Sequence, residues 1–127
     1  MSFQNILVPT DGSEYTKAAI TEAFGLAKAA KGHITALYVQ DKGANDDTAK
    51  AATGYVAELG KKEGIAVEEM VLSGSPSDVI AAESSKYDII VMGTLGRTGM
   101  KKLLVGSVAE SVVKAAECPV IVVKNSE

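Results

Sequence analysis

A glycine-rich segment that ends in a serine follows an apolar run late in the chain. The run Ile89–Met92 leads into Gly93 and Gly96, and Gly106 with Ser107 closes the segment. Glycine allows a backbone to approach a ligand closely, and the free N–H groups at the start of a helix attract anions. A buried strand, a glycine-rich loop and a helix start, in that order, predict a site for a phosphorylated ligand.

Basic side chains accompany these glycines in a chain whose formal net charge is −3. Arg97, Lys101 and Lys102 could help to neutralise a polyphosphate. Two adjacent lysines are more often a solvated surface than a phosphate contact, so both interpretations stay open. The acidic net charge argues against a general nucleic-acid-binding protein, which would carry a basic excess, and no nucleic-acid partner is expected.

A structural role explains the serine of this segment more easily than it explains the glycines. Ser107 stands three residues before Glu110, the spacing of a helix-capping box, so capping alone could account for it. Three of the seven residues from 93 to 99 are glycine, which costs conformational entropy that a turn alone does not require. The prediction of a ligand site therefore depends mainly on the glycines and on backbone N–H groups.

A second candidate segment follows the first apolar run of the chain. Pro9, Thr10 and Asp11 come directly before a glycine and a serine, in a strong turn signal. Asp11 could position a metal ion or a water molecule. It could also cap the next helix, with Glu14 at capping-box spacing, and Ser13 is a further capping candidate. Both roles stay open, because a capped helix start still offers N–H groups to a ligand.

Apolar runs alternate with helical segments along the whole chain, in the order βαβαβαβαβ. This alternation predicts a single-domain α/β fold, an open parallel five-stranded sheet with helices on both faces. Right-handed crossovers favour the strand order 3-2-1-4-5. The third strand suits an edge, and the fourth and most apolar strand suits the centre. The predicted strands are Ile6–Pro9, Ile34–Val39, Ile65–Leu72, Asp88–Met92 and Pro119–Val123.

The first and fourth strands are neighbours in this order, and the chain leaves them in opposite directions. A crevice then opens at their carboxyl ends, which is where open α/β sheets bind ligands. The loops that begin at Thr10 and at Gly93 would meet in that crevice. The predicted helices run from about Ala18 to a stop at Gly32, from Thr48 to Lys62 before Gly64, from an N-cap at Ser75 to about Ser85, and from Ser107 to about Glu117.

Other catalytic, metal-binding and membrane patterns do not fit. The loop does not match G-x-x-x-x-G-K-[ST], and no G-x-G-x-x-G follows the first strand. His33 is the only histidine and Cys118 the only cysteine, which argues against a zinc site or a Cys–His nucleophile. Cys118 is expected to pack as a small hydrophobic residue. Without a signal-peptide pattern or an apolar run near about 20 residues, a soluble cytoplasmic protein without a membrane partner is expected.

The spacing Gly93-x2-Gly96-x9-Gly106-Ser107 resembles the G-x2-G-x9-G-[ST] motif of the universal stress protein family, in its ATP-binding branch. The resemblance covers residues 1–127 as one domain of that family, with a Rossmann-like, adenine nucleotide alpha hydrolase-like fold. The segments that carry it, in chain order, are ILVPTDGS, ALYV, SGSPSDVI, DIIVMGTLGRTG, GSVAESVV and CPVIVV.

This resemblance implies an adenine nucleotide as ligand (ATP, or AMP, ADP or cyclic AMP), together with Mg²⁺ or Mn²⁺. It implies that Val39 meets the adenine through its backbone and that Gly93 approaches the ribose. It also implies a homodimer through Pro119–Val123, an apolar edge strand that would otherwise invite pairing with another chain. The remaining candidates are Pro9, Thr10 and Asp11 at the adenosine end, Gly96, Gly106, Ser107 and Val108 at the phosphates, and Met92 and Arg97 as further binding residues.

Three functions remain open at this point. The first is a regulatory module of the stress response that binds an adenine nucleotide and passes its state to a protein partner or to its own dimer. The second is a slow ATPase or a nucleotide-transferring enzyme that uses the same crevice, in which Asp11 positions a metal ion or water. The third is a structural dimer without nucleotide, against which the intact glycine pattern counts.

Overall fold

The computed structural model describes residues 3–40, 46–94 and 106–124, which form one parallel sheet and its helices. The strands are β1 (Asn5–Pro9), β2 (His33–Gln40), β3 (Val67–Ser73), β4 (Ile89–Gly93) and β5 (Val120–Val123). The α-helices are α1 (Lys17–Ala30), α2 (Asp46–Glu63), α3 (Pro76–Glu83) and α4 (Ser107–Ala115), and 3₁₀ turns occupy Glu14–Thr16 and Ser84–Lys86. None of the helices in these ranges combines the length and the apolar character that a membrane span requires.

The strands pair in the order β3-β2-β1-β4-β5, which confirms the predicted topology and the edge position of β3. All four pairings are parallel. The prediction for β4 was wrong by one place, because β1 is the middle strand and β4 lies between β1 and β5. Both strands are buried on both faces, since Ile6, Leu7 and Val8 are as inaccessible as Ile90. Apolar character alone therefore does not separate the middle strand from its neighbour.

Successive side chains of each strand pack on opposite faces of the sheet. On one face α1 and α2 cover Ile6, Val8 and their neighbours, and this cluster also contains Phe24 and Val56. On the other face Leu7, Leu37, Ile90 and Met92 pack with residues of α3 and α4. The two helices nearest the middle strands, α1 and α4, thus lie on opposite faces, as right-handed crossovers require for this strand order.

The end of α1 differs from the prediction that Gly32 stops it. The helix ends at Ala30, and Lys31 takes the left-handed conformation with φ of 56°. The N–H of Gly32 donates to the carbonyl of Ala27 at 2.9 Å, which completes a C-terminal cap. Gly32 serves a different purpose, because a Cβ there would lie 2.7 Å from Gln4 Cα. The glycine permits close approach of two backbones instead of a positive φ.

The start of α4 also corrects a prediction. Gly106, not Ser107, is the N-cap, with φ −69° and ψ 160°, and the carbonyl of Gly106 accepts the N–H of Glu110 at 2.9 Å. Ser107 is therefore the first helical residue, and a capping box between Ser107 and Glu110 does not form. The N–H of Gly106 is held by the carbonyl of Thr94 at 2.6 Å, which sets the helix start one residue earlier. The helix ends at Ala115, two residues before the expected end.

Candidate functional site

The carboxyl ends of β1 and β4 lie side by side, as the topology requires. The pairing of Leu7 with Ile90 brings the ends of the two strands into register, and parallel neighbours are roughly 4.8 Å apart. Just beyond them, Thr10 and Thr94 are each 6% exposed. Thr10 N–H donates to Leu37 O at 2.9 Å, and Thr94 N–H donates to Val123 O at 3.2 Å. Each strand end is thus tied to its outer neighbour.

The first turn of α4 lies against the end of β4. The 2.6 Å hydrogen bond from Gly106 N–H to Thr94 O joins the two. The N–H groups of a helix's first turn have no partner inside the helix, and their dipoles favour an anion. Ser107 is exposed and Val108 is 37% exposed, so this turn faces outward. A helix therefore begins at the predicted place, and phosphate binding by its first turn stays a prediction.

Hydrogen bonds define the turn that leaves β1. Asp11 Oδ1 accepts the N–H of Ser13 at 2.9 Å. Thr10 Oγ1 accepts the N–H of Gly12 at 3.2 Å, and it lies 3.2 Å from Thr16 Oγ1. Asp11 therefore forms an Asx turn with Ser13, and the N-cap is Ser13 instead of Asp11, which the capping-box spacing with Glu14 predicts. The 3₁₀ turn at Glu14–Thr16 then delays the α-helix to Lys17.

A cavity of about 630 Å³ opens beside this turn. One wall is the segment from Thr10 to Ser13 with the start of α1, and the facing wall is the first half of α2. The α2 wall is a stripe at helical spacing, in which Ala51 and Ala52 stand between the polar start of the helix and Tyr55. The full lining consists of Thr10, Asp11, Gly12, Ser13, Thr16, Lys17, Ile20, Asp47, Thr48, Ala51, Ala52 and Tyr55.

Small residues keep this cavity open at its base. Gly12 has φ of +81°, a conformation that other residues rarely adopt, and a Cβ on it would lie 3.3 Å from Ala52 Cβ. The turn therefore approaches α2 closely at this point. Ala52 is 2% exposed and packs with Tyr38 and Ala49 under the cavity. Ala52 thus forms part of the floor of the cavity.

The charges around the cavity are unequal. Among the described residues, Asp11 and Asp47 bring two carboxylates to its lining, and Lys17 brings one cation. The cation is already paired, since Lys17 Nζ lies 2.9 Å from Glu14 Oε2. This hydrogen bond to Glu14 raises the pKa of Lys17 above its ordinary value. Lys17 Nζ also lies 5.1 Å from the centroid of the Tyr55 ring, a cation–π contact from α1 to α2.

A model of the universal stress protein family matches residues 2–124 of the chain. The match extends over both strand ends, the cavity and the first turn of α4. The chain belongs to the universal stress protein family. Among its relatives, universal stress protein MJ0531 of Methanocaldococcus jannaschii is 35% identical over 141 residues, covering 97% of this chain and 83% of that protein.

Solved structures of this family share the fold. Hypothetical protein MJ0577 superposes with a TM-score of 0.89 at 29% identity, covering 100% of this chain and 99% of that one. A universal stress protein in complex with cAMP has a TM-score of 0.81 at 26% identity, covering 99% and 100%. The universal stress protein from Archaeoglobus fulgidus in complex with dAMP has a TM-score of 0.75 at 25% identity, covering 96% and 98%. Structural relatives of this chain therefore bind adenine nucleotides.

The structure brings some predicted site residues of this universal stress protein together and separates others. Thr10 and Asp11 line the cavity, and Pro9 ends β1 directly before them. The side chains of Val39 and Met92 pack on the opposite face of the sheet with α3 and α4, and neither residue lines the cavity. Gly93, Gly106, Ser107 and Val108 gather where β4 meets α4, while Gly96 and Arg97 lie outside the described residues, as do Lys101 and Lys102.

The α2 wall was missed by the sequence interpretation. Asp47, Ala51 and Tyr55 recur at intervals of four residues, which puts them on one face of a helix. That spacing was visible, but it is also the spacing of an ordinary solvent-facing stripe. Lys17 was missed for a similar reason, because it stands in a helix start rich in alanine and carries no motif.

The family resemblance implies that a divalent cation binds together with the nucleotide. Within residues 3–40, 46–94 and 106–124, no three His, Cys, Asp or Glu side chains cluster closely enough to hold a metal ion. Mg²⁺ commonly binds through one or two carboxylates with phosphate oxygens and water as its other ligands. The described residues therefore form no preformed metal site, and an ion at the phosphates would take its ligands mainly from phosphate oxygens and water.

Asp11 lends itself to a stability test. Asp11→Ala removes the acceptor of the Ser13 N–H, and we expect the free energy of unfolding to fall by about 1 kcal/mol. Asp11→Asn keeps an oxygen at this position and should stay close to wild type. Urea denaturation followed by circular dichroism measures both. Equal losses for the two variants would show that the charge of Asp11, and not its hydrogen bond, matters for stability.

Cys118 packs at the edge of the α3/α4 cluster, in partial agreement with the expected buried hydrophobic residue. Burial raises the pKa of its thiol, and the charge of Asp88 adds to this. The thiol therefore keeps its proton to a higher pH in the folded chain, and its contribution to stability is lost as pH rises through the folded pKa. We expect the midpoint of the pH–rate profile for iodoacetamide alkylation to lie higher in the native than in the urea-unfolded chain. Coincident midpoints would contradict this.

Proposed function

We propose that this chain, as one universal stress protein domain, is a regulatory protein of the stress response that binds an adenine nucleotide. The observation that carries the proposal is the cavity at the carboxyl end of β1, next to the strand whose end meets the first turn of α4. The complexes of two structural relatives with cAMP and dAMP support this class of ligand. The nucleotide state would then be passed to a protein partner or across a dimer.

Charge supports one orientation of the nucleotide. In the part of the chain that the structure describes, the cavity has two carboxylates, from Asp11 and Asp47, and one cation, Lys17, which is paired with Glu14. A phosphate group would be repelled there, whereas the exocyclic amine of a base and the hydroxyls of a ribose can donate to carboxylates. The first turn of α4 has the opposite preference, because its N–H groups favour anions. We therefore assign the adenosine part to the cavity and the phosphates to the region of Gly106, Ser107 and Val108.

Isothermal titration calorimetry tests this function directly. The purified chain is titrated with AMP, ADP, ATP and cyclic AMP, each with and without Mg²⁺. Saturable heat with at least one of them is expected, with Mg²⁺ strengthening the binding of ATP more than that of AMP, because the ion contacts phosphates. Mass spectrometry of the protein as purified would reveal a retained nucleotide. Absence of heat with all four ligands from a chain shown to be nucleotide-free would refute the proposal.

We also propose a homodimer through β5. This strand is at the edge of the sheet. Pro119 O and Val123 O accept hydrogen bonds from β4, so by alternation the backbone groups of Val120 and Val122 point outward. Ile121 is 41% exposed, which supports a covering partner. Analytical ultracentrifugation should give a dimer for wild type and a monomer for Ile121→Lys. A monomeric wild type at micromolar concentration would refute the dimer.

A further inference from the structure

Aromatic residues are scarce in this chain, and one of them, Tyr55, lines the cavity with a partly exposed ring. The chain has two phenylalanines, four tyrosines and no tryptophan. All of them lie in the described ranges, where Tyr55 at 40% is the one aromatic side chain among the exposed large hydrophobic residues. An exposed ring on the wall of a cavity suggests contact with a ligand.

The position of Tyr55 on α2 places its ring beside open space. Ala51, one helical turn earlier, lines the same cavity with a side chain of one methyl group. Ile20 on α1 forms an apolar part of the facing wall. A flat apolar surface next to small side chains, in a cavity whose remaining lining is mostly polar, suits a planar heterocycle with hydrogen-bonding edges.

Lys17 is held only weakly against the ring of Tyr55. Lys17 Nζ lies 5.1 Å from the ring centroid and is also bonded to Glu14. The side chains of Lys17 and Glu14 are 41% and 81% exposed, and exposed pairs of this kind contribute little to stability. Lys17 can therefore leave the ring face at small cost, and base–aromatic stacking is the stronger interaction on such a face.

We propose that Tyr55 is the stacking platform for the base of the bound nucleotide and displaces Lys17 when the base enters. The proposal rests on the proposed function and adds a residue that determines affinity for the base. Because stacking uses the ring face, the phenolic hydroxyl is not required. Tyr55→Phe should bind AMP within about twofold of wild type, whereas Tyr55→Leu, apolar but without a ring, should bind about tenfold or more weakly. Tyr55→Leu binding as well as wild type would overturn the proposal.

A spectroscopic test separates stacking from simple burial. Tyr55→Trp creates the single tryptophan of the chain, and a purine base stacked on an indole quenches its emission. AMP should quench this emission saturably, with the same midpoint that calorimetry gives for this variant. Val71→Trp is the matched control, since Val71 is 42% exposed on the edge strand β3 and does not line the cavity. AMP should leave its emission unchanged.

The two experiments distinguish the failure of this inference from the failure of the proposed function. Heat of AMP binding to both wild type and Tyr55→Trp, with no change in tryptophan emission, would overturn the stacking platform alone. Equal quenching of the Val71→Trp control would overturn it as well, since the signal would then not depend on position. Absence of AMP heat with the wild-type chain, and with the other adenine nucleotides, would refute nucleotide binding and the stacking platform together.

Discussion

Replacing Ala51 by leucine is expected to weaken adenine-nucleotide binding by about tenfold to a hundredfold while leaving the free energy of unfolding nearly unchanged. Ala51 is exposed and lines the cavity from the middle of the α2 wall. Leucine has a high intrinsic helix propensity, so the substitution should not destabilise α2. Its three additional carbons would occupy the space that we assign to the base, and overfilling an occupied site costs about 1–3 kcal/mol.

The matched control for Ala51→Leu is Lys50→Leu. Lys50 is the preceding residue of α2 and is also exposed, but it does not line the cavity. This variant should bind the nucleotide as wild type does. Calorimetry with AMP measures affinity, and urea denaturation checks that both variants fold. An Ala51→Leu variant that folds and binds with wild-type affinity would mean that the nucleotide occupies another part of the crevice.

Gly32→Ala is expected to cause the largest loss of stability, about 3 kcal/mol or more. A Cβ at this position would lie 2.7 Å from Gln4 Cα and 2.9 Å from Gln4 C. These are backbone atoms, and they cannot move aside as a flexible side chain could. Gln4 O also accepts the N–H of His33 at 2.8 Å, next to the first residue pair of β1 and β2. Relief of the clash would therefore disturb the start of the central strand pairing.

Two other glycines provide the control for Gly32→Ala. Gly25 in α1 and Gly54 in α2 have nothing within 4 Å of an added Cβ. Alanine is favoured over glycine inside a helix by about 0.5–1 kcal/mol, so both substitutions should raise the free energy of unfolding. Thermal and urea denaturation of the three variants compare the effects. A Gly32→Ala variant as stable as Gly25→Ala would show that the approach to Gln4 is looser than the structure indicates.

The fold followed from sequence because the signals that determine it are local. Alternating strands and helices led to the strand order β3-β2-β1-β4-β5, since right-handed crossovers leave few alternatives. Gly64 was expected to end α2, and it has the φ of +74° that such a position favours. Pro76 at the first position of α3 with Ser75 as N-cap was confirmed as well, although the Ser75 side chain makes no capping hydrogen bond. The motif spacing also identified the family.

Tertiary contacts decided what local signals left open. Ser107 and Gly106 are both acceptable N-caps, and Gly106 takes that place, with its N–H bonded to the carbonyl of Thr94 just beyond β4. Gly32 was expected to end a helix. The structure instead needs a glycine there because its backbone lies against that of Gln4, 28 positions away, and leaves no room for a Cβ.

In the candidate site, too, the sequence determined one part and the tertiary structure decided another. By itself the sequence determined that the turn after β1 and the helix start after β4 would meet at one end of the sheet, because strand order and chain direction require it. Only the tertiary structure decided that α2 closes the cavity, with Ala51 and Tyr55 as its wall and Lys17 reaching across to the ring. Helical spacing shows which residues share a face, but the packing of α1 against α2 determines what that face meets.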